Sequence, residues 1–276
     1  MLESFLASWS LFAEAWIASW LIAGLLGLLG VAVLARDQVF LGAAMSQAAT
    51  AGVALVVGFS SGVTAQWIAW VGGGTAVLAA VATALGVTAV RRHPEGVTAW
   101  IFLAGASSSV LVVARSPHGM EEVTRLVASS LVGAGTADVV VFALLFAGVV
   151  AWVALDGRRL RAALLDPVFA ATVGVDLRRL GIVFALVLGA AIGWSLHVSG
   201  LLYTFGCLVL PALAARSLAR ELRTVVVLAP LIAIACAVLA SVWADASDLP
   251  PAQVAVALLA LICVVARVGR FVVTHR

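Results

Sequence analysis

The chain has 276 residues, of which 64% are hydrophobic and only 11% are charged. A soluble domain carries roughly 25% charged residues, so this composition excludes an ordinary globular protein and predicts an all-α polytopic membrane protein. All sixteen basic residues are arginine, and the pI of about 9.2 reflects arginines in connecting loops. Because no basic face interleaved with aromatic side chains occurs, we expect no nucleic-acid partner.

Apolar runs of about twenty residues, the length that crosses about 30 Å of hydrocarbon, recur along the chain. We count nine spans, within a range of eight to ten, because residues 115–135 and 196–202 are ambiguous. A short amphipathic lead precedes the first span, and the whole chain, 1–276, is predicted to form one transmembrane domain. The spans cover about residues 14–35, 39–59, 67–90, 97–114, 136–155, 180–198, 200–215, 224–243 and 252–272.

The distribution of arginines predicts the orientation. With the N-terminus outside, fourteen of the sixteen arginines face the cytoplasm, and only Arg115 and Arg125 lie outside. The positive-inside rule therefore predicts an N-out, C-in topology, which agrees with an odd number of spans. No basic residue precedes Arg36, so the first apolar run lacks the flank of a cleavable signal peptide and is expected to remain as a span.

The span interiors hold almost none of the ionisable residues that ion-coupled carriers keep near mid-span. Asp138 is interpreted as a cap or loop residue at the start of the fifth span. A Walker motif is excluded because it needs a lysine, so active transport would draw its energy from another subunit. The three cysteines, Cys207, Cys236 and Cys263, occur singly in apolar runs and are interpreted as packed thiols.

A polar patch interrupts the second span, directly after the turn at Arg36-Asp37. Its side chains belong to Met45, Ser46, Gln47 and Thr50. Burying an amide and two hydroxyls at membrane depth is costly unless they find partners or line a wet cavity. The residues alone leave two interpretations open, namely hydrogen bonding within the helix bundle and a substrate path.

The connection between the fifth and sixth spans, about residues 156–179, is longer than most other inner connections. Asp166 is expected to be an N-cap, Pro167 the first helical residue and Gly174 the stop, which predicts a short helix over 168–173. Its small apolar surface comprises Val168, Phe169, Ala170 and Ala171. Two interpretations stay open: a helix resting on lipid at the inner membrane face, and a knob that docks into a partner.

Four segments in this order carry a family resemblance. After the first inner turn, residues 40–52 read Phe-Leu-Gly-x3-Ser-x-Ala-x3-Gly, and residues 164–180 read LLDPVFAATVGVDLRRL. Residues 197–220 read HVSGLLYTFGCLVLPALAARSLAR, and residues 241–258 read SVWADASDLPPAQVAVAL. Together they resemble the permease subunits of the ABC importer family that takes up zinc, manganese and iron.

The resemblance implies a transport subunit rather than an enzyme. It implies a permease homodimer in membrane lipid, a separate ABC ATPase that binds ATP and Mg²⁺, and an extracytoplasmic substrate-binding protein. The chain itself would bind no cofactor, and a metal would be its cargo. Alternating access would be coupled to the ATPase through Asp166 to Gly174, and the location would be the bacterial cytoplasmic (inner) membrane.

One departure from the family pattern concerns the cargo. Family members read Gly-Asp-x-x-Ser-His-Ala on the second span, whereas Ala43 and Gln47 occupy the Asp and His positions here. An amide is a poor zinc ligand, so no metal ligand is assigned. Either an ion passes by weaker contacts, or the cargo is larger or already chelated. The substrate-path candidates are Met45, Ser46, Gln47, Thr50, Tyr203 and Cys207.

Three alternatives remain. The same ABC frame would serve a non-metal small solute, and a stand-alone secondary transporter would need no ATPase. An intramembrane hydrolase would use a serine among Ser107, Ser108 and Ser109 with His197 as the base, although no orienting acid is evident.

Overall fold

The computed structural model describes residues 2–59, 65–89, 94–114 and 131–274. Within these ranges the chain forms nine α-helices and a 3-10 turn at Leu131–Gly133, and it contains no β-strand, which confirms the all-α prediction. The helices are α1 (Leu2–Ala35), α2 (Val39–Phe59), α3 (Ala65–Ala89), α4 (Pro94–Val113), α5 (Thr136–Leu165), α6 (Pro167–Thr172), α7 (Leu177–Leu218), α8 (Leu222–Ser247) and α9 (Pro251–Thr274).

Some residues used for the topology prediction lie outside the described ranges. These residues are Arg91, Arg92, Arg115, Arg125 and Arg276, together with most of the ambiguous segment 115–135. The orientation therefore stays a prediction.

Six helices in the described part of the chain are long and apolar enough to cross a membrane, namely α1, α2, α5, α7, α8 and α9. Shorter apolar stretches lie in α3 and α4, at Trp70–Leu85 and Gly96–Val112. A continuous helix of the 42 residues of α7 would rise about 63 Å, roughly twice the hydrocarbon thickness. Gly200 interrupts α7 with φ 79° and ψ 172°, a conformation that is essentially confined to glycine. This break falls where the sixth and seventh spans were predicted to separate.

The end of α5 differs from the prediction. We expected the fifth span to end near residue 155 and a loop to follow, whereas α5 continues to Leu165. The added segment is rich in Leu, Ala and Arg, which are strong helix formers, and Arg159 Nη1 lies 3.4 Å from Asp156 Oδ1 one turn earlier. Much of the predicted loop is therefore helical.

The N-terminal lead is helical and joined directly to the first span in α1. The Phe5 and Trp16 rings stack with their centroids 4.1 Å apart. Residues eleven positions apart on a straight helix are separated by about 16 Å along its axis. The two side chains therefore reach toward each other along one face of α1, and the aromatic rings of the lead pack against those of the span.

The described contacts divide the chain into two compact units, each made of segments that are distant in sequence. Unit 1 comprises Met1–Ala35, Ser130–Ala151 and Val198–Arg276. Unit 2 comprises Arg36–Ser129 and Trp152–His197.

Small residues let α1 approach its neighbours closely within unit 1. A Cβ added at Gly30 would overlap the carbonyl oxygen of Leu208 on α7. A Cβ at Gly27 would lie 3.0 Å from the Cβ of Ala233 on α8. Because lipid tails are as apolar as leucine, helix association in a membrane depends on such close van der Waals packing.

Unit 2 is organised around α2, which packs against both α3 and α4. A Cβ at Gly105 on α4 would lie 2.9 Å from the carbonyl oxygen of Gln47. The first half of α7 approaches α3 as closely, because a Cβ at Gly193 would lie 2.5 Å from the Gly73 Cα. The glycine-rich segments of α3 and α7 therefore pack closely against each other.

The turn between α1 and α2 occupies residues 36–38, as predicted. Asp37 adopts φ 53°, a left-handed conformation that aspartate tolerates better than most residues. The Arg36 guanidinium lies over the Phe184 ring, 4.8 Å from its centroid, and burial lowers the pKa of Arg36. The cation–π contact offsets part of the hydration that the guanidinium loses.

Candidate substrate path and coupling helix

Two of the polar side chains on α2 are satisfied by their own helix. The Ser46 hydroxyl donates to the Gly42 carbonyl and the Thr50 hydroxyl to the Ser46 carbonyl, both at 2.9 Å. Met45, in the same stretch, is fully buried. The burial of these hydroxyls therefore needs no cargo to account for it.

Gln47 differs from these neighbours. Its side chain is partly exposed, and its amide forms no hydrogen bond in the part of the chain that the structure describes. Ala43 lies one helical turn earlier and Thr50 one turn later, so the three share one face of α2. Gln47 thus presents a partly exposed amide on this face.

Tyr203 and Cys207 lie one turn apart on the second half of α7, and both are buried. The Tyr203 hydroxyl donates a hydrogen bond to the Ser19 carbonyl of α1 at 2.8 Å, within unit 1. This is the kind of interhelical bond that the packing interpretation predicts. The α2 candidates belong to unit 2, and a role of Tyr203 or Cys207 in the path stays a prediction.

The described residues contain no group of three or more His, Cys, Asp and Glu side chains that could hold a metal ion. Cys207, Cys236 and Cys263 are buried free thiols, as the sequence predicted.

The short helix predicted between the fifth and sixth spans is present as α6, Pro167–Thr172. Asp166 has extended backbone angles, and its Oδ1 accepts a 2.9 Å hydrogen bond from the Phe169 backbone N–H. Gly174 follows the helix with φ 81°, a conformation that favours glycine. The predicted N-cap, first residue and stop are therefore confirmed.

The surface of α6 is apolar and exposed. Val168 is 77% exposed and Phe169 is 56% exposed. Ala170, which we expected on this surface, is fully buried. Ala170 is buried because successive residues of a helix point about 100° apart, so one side of α6 must face the protein. A docking surface on α6 would therefore consist of Val168, Phe169 and Ala171 without Ala170.

The serine-rich stretch of α4 makes ordinary helix contacts. The Ser108 hydroxyl donates to the Gly105 carbonyl at 3.1 Å, and the Ser109 hydroxyl donates to the Ala106 carbonyl at 2.9 Å. Neither hydroxyl proton is therefore directed at a histidine base, which weighs against the hydrolase interpretation.

Asp138 Oδ2 accepts a hydrogen bond from the Gly135 backbone N–H at 3.1 Å, so the prediction that Asp138 is a cap residue is confirmed.

The long apolar helices define a multi-pass helical membrane protein. The family model of the ABC 3 transport family matches residues 8–270, and the chain belongs to this family. The family resemblance stated from four sequence segments is therefore confirmed. No match was found among curated protein sequences.

Two solved structures share the fold. PsaBC from Streptococcus pneumoniae, in complex with a Fab, matches with a TM-score of 0.78 and 14% identity, over 96% of this chain and 95% of that chain. A transporter assigned to the metal-chelate type of ABC transporter, in an inward-facing conformation, matches with a TM-score of 0.75 and 13% identity, over 92% of this chain and 84% of that chain.

Sequence reasoning missed two positions where a glycine is required by contact, Gly30 and Gly105. Both lie in apolar runs that contain other glycines and alanines. Gly148 looks the same in sequence, yet an added Cβ there would meet nothing within 4 Å. No local signal separates the required glycines from the dispensable one.

Proposed function

We propose that this chain is the membrane-spanning subunit of an ATP-driven importer for metal ions such as zinc, manganese or iron, or for a metal chelate. The family match over residues 8–270 carries the proposal. The similar folds belong to PsaBC and to a transporter of the metal-chelate type, which supports this cargo class. Two copies of the chain would form the translocation path, with two ATPase subunits and a binding protein.

The proposed topology has nine spans, with the N-terminus outside and the C-terminus in the cytoplasm of a bacterium. The six long apolar helices, with α7 counted twice because of its break at Gly200, and the shorter helices α3 and α4 support this number. The single transmembrane domain then contains both compact units.

The proposed contact with the ATPase is α6. A six-residue helix has little stability of its own, so the Asp166 cap and the Gly174 turn fix its shape at both ends. Phe169 and Val168 then present apolar area that a groove on the ATPase would bury. The ATP and Mg²⁺ chemistry belongs to that partner.

The proposed cargo contact is Gln47. Its amide offers both a donor and an acceptor, which suits an oxygen-rich chelate better than a bare divalent ion. Ala43, one turn away, leaves room where the family carries a carboxylate. The same frame carrying a non-metal solute is the second candidate, and the neutral Ala43 and Gln47 at the family's Asp and His positions favour it.

The test is transport by the purified chain reconstituted in liposomes with its ATPase and binding protein. Elemental and native mass spectrometry of the complex should find a metal or chelate in a fixed ratio, and uptake of that cargo should require ATP.

Uptake without the ATPase would instead identify a secondary transporter. A bound solute without metal would identify the second candidate. Uptake of free ions that is unchanged by Gln47→Ala, with no chelate uptake, would contradict the chelate assignment.

A further inference from the structure

A cleft of about 640 Å³ lies at the C-terminal ends of α7 and α9, within unit 1. It is remote in sequence from α2 and α6. Its main lining residues are Leu213, Arg216, Arg267, Val268, Arg270 and Phe271. Among the described residues, no acidic side chain lines the cleft, whereas three arginines do.

The three arginines converge from two helices. Arg267 and Arg270 are three positions apart on α9 and therefore project from neighbouring positions of one face. Arg270 Nη1 donates to the Arg216 backbone carbonyl at 3.1 Å and so bridges the two helix ends. In the described chain no ion pair involves Arg216 or Arg267. The helix dipole favours Arg216 in the last turn of α7, whereas Arg267 and Arg270 precede the last turn of α9, so the dipole does not account for the convergence of the three arginines in one cleft.

Apolar side chains lie directly beside these charges. Val268 is 57% exposed and Phe271 is 64% exposed, although both line a cleft with three cations. A charged rim next to exposed apolar area, at the end of a membrane span, matches the boundary between lipid headgroups and acyl chains.

We propose that this cleft binds the phosphate group of an anionic phospholipid. The guanidinium groups present planar N–H forks that suit phosphate oxygens, and Val268 and Phe271 contact the lipid next to its headgroup. Free inorganic phosphate shares the anion chemistry, but it gains nothing from the apolar side chains. With the proposed orientation, the site faces the cytoplasmic leaflet.

The probe is phosphatidylglycerol, compared with phosphatidylcholine and with inorganic phosphate at equal concentrations. Native mass spectrometry of the full chain should show phosphatidylglycerol retained in preference to phosphatidylcholine and not displaced by inorganic phosphate. Arg267→Gln should reduce this retention about fivefold, the contribution of one surface arginine to anionic-lipid binding. Arg267 is chosen because it forms no hydrogen bond that holds the two helices together.

Arg220→Gln is the matched control, since Arg220 is exposed and lies outside the cleft. Arg267→Lys keeps the charge without the planar fork and should lose less retention than Arg267→Gln. A thermal unfolding curve for each variant establishes that it is folded. An equal loss in Arg220→Gln, equal retention of both lipids, or displacement by inorganic phosphate would each overturn the proposal.

Discussion

The Tyr203 hydroxyl donates a 2.8 Å hydrogen bond to the Ser19 carbonyl and thereby joins α7 to α1. Both residues are buried. The Ser19 hydroxyl donates to the Trp16 carbonyl at 2.8 Å, so both hydroxyls at this contact are satisfied by backbone. The packing role of Tyr203 can therefore be separated from a transport role by removing one oxygen atom.

Tyr203→Phe should lower the free energy of unfolding by about 0.6 kcal/mol, the average for an interhelical hydrogen bond in a membrane. The aromatic ring keeps its packing in the variant. The Ser19 carbonyl lies inside α1, where it still accepts a backbone hydrogen bond of the helix. The measurement is denaturant unfolding in detergent micelles, together with cargo uptake per folded molecule. Unchanged uptake is expected from a packing residue. A fall in uptake without a loss of stability would instead assign Tyr203 to the path.

Gly30→Ala should destabilise the chain by about 1–3 kcal/mol, because the added methyl group overlaps the Leu208 carbonyl and must push α1 from α7. Gly148→Ala is the matched control on α5, where an added Cβ meets nothing within 4 Å. It should be neutral or stabilising by up to about 1 kcal/mol because alanine favours helix. Equal unfolding midpoints for the two variants would contradict the close approach at Gly30.

Asp166→Ala should cost about 0.5–2 kcal/mol of local stability, because the Phe169 N–H loses its capping acceptor. Asp166→Asn keeps an acceptor oxygen and should behave nearly as the wild type. Hydrogen exchange of the peptide that covers α6 measures the difference. Equal protection in both variants would show that the cap does not hold α6.

Phe169→Asp should reduce ATP-driven uptake at least about tenfold, since a hot-spot aromatic side chain contributes about 2 kcal/mol or more to binding. The chain should remain folded because Phe169 is 56% exposed. Ala170→Asp is unsuitable for this purpose because it would bury a carboxylate. Leu218→Asp is the control, since Leu218 is 58% exposed and lies outside α6. Normal uptake by Phe169→Asp would refute the coupling assignment.

The features that the sequence predicted well are those fixed by neighbouring residues. The bounds of α6 follow from Asp166, Pro167 and Gly174, which act within one turn of the chain. The buried position of Ala170 depends on what lies beneath α6, and a local pattern does not contain that information. The same reason applies to Gly30, whose partner Leu208 is far away in sequence.

The neutral residues Ala43 and Gln47 on the α2 face predict that substituting them with metal ligands will create metal binding. Ala43→Asp together with Gln47→His would place a carboxylate and an imidazole one turn apart on the face that now carries the partly exposed Gln47 amide. Both are good ligands for zinc, whereas the amide is not. The double variant should bind Zn²⁺ on the order of tenfold or more tightly than the wild type.

Isothermal titration with Zn²⁺ on the purified chain measures this gain, and the single variants are its controls. Each single variant supplies one new ligand, so neither should approach the double variant. The gain should also disappear below about pH 6, because the imidazole must be neutral to bind the metal. If the double variant bound no more Zn²⁺ than the wild type, residues 43 and 47 would not share an accessible face. Loss of the Asp and His pair would then not explain a change of cargo.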